Sequence, residues 1–127
     1  MDYDKMIFTG NLGRDPELRY TPNGKKVCKF PVATNRIYTN NAGKEIQETT
    51  WRTVETWENL AEVCNKYLSK GSRVFVDGRL NPDLETGGPR VWKRDDGTPG
   101  ASYDVTARRV IFLDGPGKEA QEDDIPF

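Results

Sequence analysis

Trp51, Thr53, Glu55 and Trp57 recur at every second residue, the spacing that puts side chains on one face of a β-strand. Thr53 and Glu55 belong with water, so both indoles on that face are expected to be at least partly exposed. Exposed indoles are π-surfaces. A nucleic-acid base offers a complementary one, and each base–aromatic stack is worth about 1–3 kcal/mol without regard to base identity. Phe75 alternates with Arg73 and Arg79, Tyr38 follows Arg36, and Trp92 stands among Arg90, Lys93 and Arg94. Aromatic rings interleaved with cations are what a groove for single strands needs. The candidate stacking residues are therefore Tyr38, Trp51, Trp57, Phe75 and Trp92. The candidate phosphate contacts are Arg19, Lys29, Arg36, Arg52, Lys70, Arg73, Arg79, Lys93 and Arg94. Phe8, Phe30, Tyr67 and Phe112 fall within apolar or amphipathic periods and are assigned to the core.

Catalytic chemistry finds few carriers. There is no histidine for general-base work and no phosphate-cradling Gly-x-x-x-x-Gly-Lys-Ser/Thr loop. Asp95-Asp96-Gly97 reads as a turn before it reads as a cation ligand. Cys28 and Cys64, without histidine, cannot build an ordinary zinc site and are expected to be reduced and buried. No catalytic residue, metal or cofactor is expected.

The elements that must position these residues follow from period and breakers. Lys5 to Leu12 reads as a first strand, stopped at Gly13-Arg14-Asp15-Pro16. Glu17 to Tyr20 is a short extended piece before the turn Thr21-Pro22-Asn23-Gly24. Val27 to Ile37 is a second strand, where Pro31 predicts an edge position or a bulge, and Thr49 to Trp57 a third. Leu60, Val63, Cys64, Tyr67 and Leu68 then mark one helical face, with Glu58 or Asn59 near its start and Gly71 just past its end. Arg73 to Leu80 alternates as a fourth strand, Val74, Val76 and Leu80 inward and Arg73, Phe75, Asp77 and Arg79 toward water. Residues 81–101, broken by proline and glycine, read as a long excursion or hairpin arm before a last strand from Tyr103 to Leu113.

An all-β chain of five strands with one helix between the third and fourth matches the OB-fold, a Greek-key barrel that holds oligonucleotides or oligosaccharides on its second and third strands. The 127 residues suit one domain, residues 1–113, and a tail, residues 114–127, expected to be disordered. The net charge of -1 hides a division: the first 113 residues carry 18 basic and 15 acidic groups, the last 14 carry 1 and 5. The body can meet phosphates; the tail is repelled by them. The tail finishes with Asp123, Asp124, Ile125, Pro126 and Phe127, whose apolar end beside acids suggests a docking peptide for an apolar pocket with a basic rim. No apolar run is long enough to span a bilayer and no secretory signal opens the chain, so a cytoplasmic location is the expectation.

The segments Gly10-Asn11-Leu12-Gly13-Arg14-Asp15-Pro16-Glu17, Arg19-Tyr20-Thr21-Pro22-Asn23-Gly24, Thr50-Trp51, Tyr67-Leu68-Ser69-Lys70-Gly71-Ser72 and Val76-Asp77-Gly78-Arg79-Leu80, with the ending Asp123 to Phe127, resemble the bacterial single-stranded DNA-binding protein family. The resemblance implies an OB-fold homotetramer, associated with the nucleoid, that wraps and protects single-stranded DNA in replication, recombination and repair and recruits proteins of those processes through its C-terminal tip. It also implies that Trp51 and Trp57 stack on bases, the latter where phenylalanine is common, and that Tyr38 stands where tryptophan is frequent. Two readings compete with it: an adaptor whose barrel face binds protein instead of DNA, and a carboxylate-dependent nuclease.

Overall fold

A computed structural model describes residues 1–114 of the chain. It contains β1 (Met6–Leu12), β2 (Glu17–Tyr20), β3 (Lys26–Thr39), β4 (Glu45–Trp57), α1 (Glu58–Tyr67), β5 (Arg73–Asn81), β6 (Arg90–Lys93) and β7 (Pro99–Phe112). The sheet runs β1-β5-β7-β4-β3 and closes on itself where β1 pairs with β3 through Asn11↔Ala33 and Leu12↔Val32. Within it β4 and β7 are parallel and the other pairs antiparallel, so five strands form a closed barrel with one helix between its third and fourth strands. This is the OB-fold arrangement expected from the element order. β2 adds to the outer edge of β3, and β6 folds back on β7 as the arm read between residues 81 and 101.

Closure lets β-branched residues fill the interior. Val32, Val54, Val74, Val76, Val105 and Val110 are wholly buried around Phe30, and Phe8 and Phe112 complete the lining. Leu60, Ala61, Cys64 and Leu68 bring α1 against one end of that core. At the opposite end the Arg52 guanidinium lies 4.4 Å from the Phe8 ring centroid and donates to Thr34 Oγ1 at 3.1 Å. Burial lowers the pKa of Arg52 from the usual guanidinium value, with Tyr103 opposing.

Several details differ from the sequence reading. The barrel strands β3, β4 and β7 run longer, because β3 and β4 continue as a hairpin beyond the barrel and β7 reaches back to pair with β6. Pro31 sits neither on an edge strand nor in a bulge. It pairs in regular register with Thr53, at the point where the other neighbour of β3 changes from β2 to β1, so no ladder misses its N–H. The bulge lies at Asp77/Gly78 instead. Asp77 was expected in water, yet it is buried, 3.2 Å from Lys5 Nζ and 3.7 Å from Arg108 Nη2, which compensate its charge. Tyr67 is not core: it is half-exposed at the end of α1, its ring 6.3 Å from that of Phe112. The N-cap of α1 is Trp57, which makes no side-chain cap, and Glu58 enters the helix at φ 56° while its carboxylate accepts from Lys26 N at 2.9 Å.

Both cysteines are free and buried, as expected. Burial pushes the Cys28 thiol from 9.0 up to about 11, and pushes Cys64 higher still. A folded-state pKa above the unfolded one means that the stability Cys28 contributes is fully present below pH 9.0 and is lost as pH rises through about 11. Neither thiol is expected to react with a thiol-selective disulfide reagent at pH 8 until the protein is unfolded, when both should titrate; prompt reaction of one in the native protein would contradict the burial.

Candidate nucleic-acid interface

β4 carries the parity that matters. Val54 and Thr56 point into the barrel, wholly buried, so Trp51, Thr53, Glu55 and Trp57 face out. Trp51 is 51% exposed and Trp57 partly so, its indole N–H donating to Glu55 Oε1 at 2.9 Å. Six residues of extended strand separate the two indoles by about 20 Å, room for several stacked or splayed nucleotides.

Beside them lies a groove of about 310 Å³, with Arg14, Arg19, Lys29 and Arg90 around Val27 and Thr53. Arg14 comes from the β1–β2 turn, Arg19 from β2, Lys29 from β3 and Arg90 from the arm, so closure of the barrel gathers cations far apart in sequence. Three of them share their charge with neighbours. Arg19 pairs with Glu17, Lys29 with Glu55 at 3.6 Å, and Arg90 with Asp104 at 2.7 Å. The pairing holds the cations over the outer face, where an incoming phosphate can displace a carboxylate.

The arm extends this surface. Trp92 is 37% exposed, and the Arg94 guanidinium, bonded to the Pro99 carbonyl, stands 5.2 Å from its ring centroid. Lys93 is exposed at the last pair of the β6–β7 hairpin. Asp95-Asp96-Gly97 is the turn of that hairpin: Asp96 accepts from Thr98 N at 2.9 Å and Thr98 Oγ1 at 2.6 Å, which lowers its pKa. Among the described residues no cluster of histidine, cysteine or carboxylate side chains could hold a metal ion.

The remaining sequence candidates are dispersed. Tyr38 pairs with Ile46, five residues from Trp51 on β4, and so points from the opposite face of the β3–β4 hairpin. There the Arg36 guanidinium lies 4.6 Å from its centroid and pairs with Glu48 at 3.1 Å. Arg52 occupies the barrel end described above. Phe75 is opposite Thr9 and Ile111, on the outer face of β1, β5 and β7, a different wall from that of Trp51. Arg73 donates to Asn11 at that wall's margin, near exposed Lys70, and Arg79 lines a separate cavity of about 420 Å³ with Lys5, Asp77 and Arg108. The docking tip, Asp123 to Phe127, lies outside the described residues.

The sequence reading missed Arg14 and Tyr103, and took Arg90 only as a cation near Trp92, not as a phosphate contact. Arg14 belongs to a turn read only as a strand stop. Tyr103 is 51% exposed beside Arg52 and lines an apolar hollow of about 180 Å³ with Leu80, Pro82 and Pro89. Its parity within β7 points inward, and only the barrel's finite length makes it accessible.

The model of the Single-strand binding protein family matches residues 3–113. Among curated proteins, the chain is 36% identical over 115 residues to a single-stranded DNA-binding protein of Neisseria meningitidis serogroup A, covering 91% of this chain and 62% of that one. It is 37% identical over 115 residues to one from Wolinella succinogenes, covering 91% and 67%. The chain thus spans about three fifths of the length of its Neisseria relative. Among solved structures, the Plasmodium falciparum SSB complex with ssDNA superposes with a TM-score of 0.72 at 27% identity, over 90% of this chain and 97% of that one. A deletion mutant of the single-stranded DNA binding protein from Thermus aquaticus gives 0.68 at 27% identity, over 91% and 53%. With the family model spanning every strand of the barrel and curated relatives 36–37% identical over 91% of the chain, the chain belongs to the single-strand binding protein family.

Proposed function

We propose that residues 1–113 bind single-stranded DNA with little regard to sequence and without altering it chemically. The observation that carries this reading is one outward face holding two solvent-accessible indoles, Trp51 and Trp57, beside a groove walled by four cations. The indoles supply stacking and the cations phosphate neutralisation, which together require no particular base. Trp92, Lys93 and Arg94 on the arm extend the path, while Tyr38 and Arg36 offer a second contact where the strand passes around the β3–β4 hairpin.

Phe75 serves a different purpose in this proposal. With Ile7 55% exposed and Phe75 partly so, it belongs to an apolar stretch on the outer face of β1 and β5 that suits a homo-oligomer, a homotetramer as in the family resemblance. Protection of single strands in replication, recombination and repair, a nucleoid-associated cytoplasmic location, and recruitment of partner proteins by Asp123 to Phe127 complete the proposal. No helix among the described residues is long and apolar enough to cross a membrane.

The test is a titration of intrinsic tryptophan fluorescence with oligo-dT across salt concentrations. Quenching at low salt that weakens linearly on a logarithmic salt axis is expected; absence of quenching at low salt sinks the proposal. Arg14 is exposed and makes no ion pair among the described residues, so Arg14→Ala should weaken binding and reduce the salt slope by about 0.7, the single-strand value for one phosphate contact.

A further inference from the structure

Two of the three tryptophans rest on a glycine. A methyl group at Gly13 would lie 2.5 Å from Cζ3 and 2.7 Å from Cη2 of Trp51, and one at Gly100 would lie 2.7, 2.8 and 2.9 Å from Cη2, Cζ3 and Cζ2 of Trp92. Carbon atoms pack at about 3.5–4.0 Å, so neither ring could keep its place over an alanine. At Gly100 the three distances are nearly equal, which lays the six-membered ring face-on over the backbone and buries Gly100 in an otherwise exposed hairpin. Gly13 is held by its N–H donating to Pro31 O at 3.0 Å, and Pro31 Cγ would be 3.6 Å from the same methyl.

Backbone conformation does not explain these glycines. The glycines with positive φ are Gly24, Gly43, Gly71, Gly87 and Gly97, all of which have open space where a side chain would stand. Gly13 and Gly100 are the reverse: their backbone angles suit any residue, and the space over them is filled by an indole.

We propose that Gly13 and Gly100 are positioning residues for base stacking. Each lets an indole lie against bare backbone, Trp51 by the edge of its six-membered ring and Trp92 by a face, which fixes the ring while both indoles stay partly exposed. A ring already fixed loses little side-chain freedom when a base arrives, whereas a displaced ring must be reordered. The inference rests on the stacking reading of Trp51 and Trp92 and adds residues that touch no DNA themselves. The β1–β2 turn and the tip strand of the arm, which otherwise read as connections, become parts of the binding surface.

The experiment is a pair of double-mutant cycles, Gly13→Ala with Trp51→Ala and Gly100→Ala with Trp92→Ala, read by oligo-dT affinity and by thermal midpoint. Gly13→Ala is expected to weaken binding about tenfold, within the range of losing one stack, and to shift tryptophan emission in the DNA-free protein. In the Trp51→Ala background the same change should leave affinity unaltered, and the drop in thermal midpoint that it causes alone should be relieved, because the ring it displaces is gone. Equal weakening in both backgrounds overturns the positioning role, as does wild-type affinity of Gly13→Ala when Trp51→Ala binds weakly. If Trp51→Ala and Trp92→Ala both bind as the wild type does, the stacking reading itself fails. Should Gly13→Ala not fold, folding of the Gly13→Ala/Trp51→Ala protein supports the clash, and the Gly100 cycle, on an exposed hairpin, decides the effect on affinity by the same criteria.

Discussion

Replacing Trp51 and Trp57 together by alanine is expected to weaken oligo-dT binding by roughly 30-fold to 10⁴-fold, since each stack contributes about 1–3 kcal/mol and the two rings, about 20 Å apart, engage different nucleotides. Thermal stability should change little at Trp51, which is half in solvent. Trp57 is more enclosed and donates its indole N–H to Glu55, so its replacement should cost some stability as well. Retained low-salt affinity in the double variant, measured by fluorescence anisotropy of a labelled oligo-dT, would transfer binding to the Tyr38 side of the hairpin, whereas absence of binding by the wild type as well would favour the adaptor reading.

Phe30→Ala should lower the free energy of unfolding by about 3–5 kcal/mol, the cost of a large-to-small change in a packed core. Phe30 is 1% exposed on β3, among the valines that line the barrel. Against a total of about 5–15 kcal/mol for a domain of this size the loss leaves a marginal protein. Urea denaturation should show a lower midpoint at an unchanged slope. A change under 1 kcal/mol would contradict the packing described. Where the variant is folded, its affinity for oligo-dT should stay within a few-fold of the wild type, because the outward indoles are not part of that core.

The two predictions separate surfaces that the sequence already distinguishes. Trp51 to Trp57 reads as outward because threonine and glutamate share its parity, while the Val54 and Thr56 positions fall inward; two-residue alternation is local, so a single strand suffices to assign it. The same holds for the strand order, for α1, and for the burial of Phe8, Phe30, Phe112 and both cysteines. Alternation fails where a second strand or an end of the barrel intervenes. Asp77 has outward parity but is enclosed by Lys5 and Arg108, which approach from the chain's start and from β7. Tyr103 has inward parity but lies past the barrel's end, and Tyr67 follows the helical period yet overhangs the last turn of α1.

The sequence by itself determined which residues have binding chemistry: rings beside cations, on strands whose parity exposes them, in a chain of five barrel strands and one helix. Only the tertiary structure decided which of them lie together. Phe75 moved to a different wall, Tyr38 to the other side of a hairpin and Arg52 to a barrel end, while Arg14 and Arg90 joined Arg19 and Lys29 in one groove. The physical reason is that spacing along a strand encodes a face, whereas the neighbour across a closed barrel depends on pairing and register between segments tens of residues apart. The pairing of Trp51 with Gly13, 38 positions earlier in the numbering, is of that second kind.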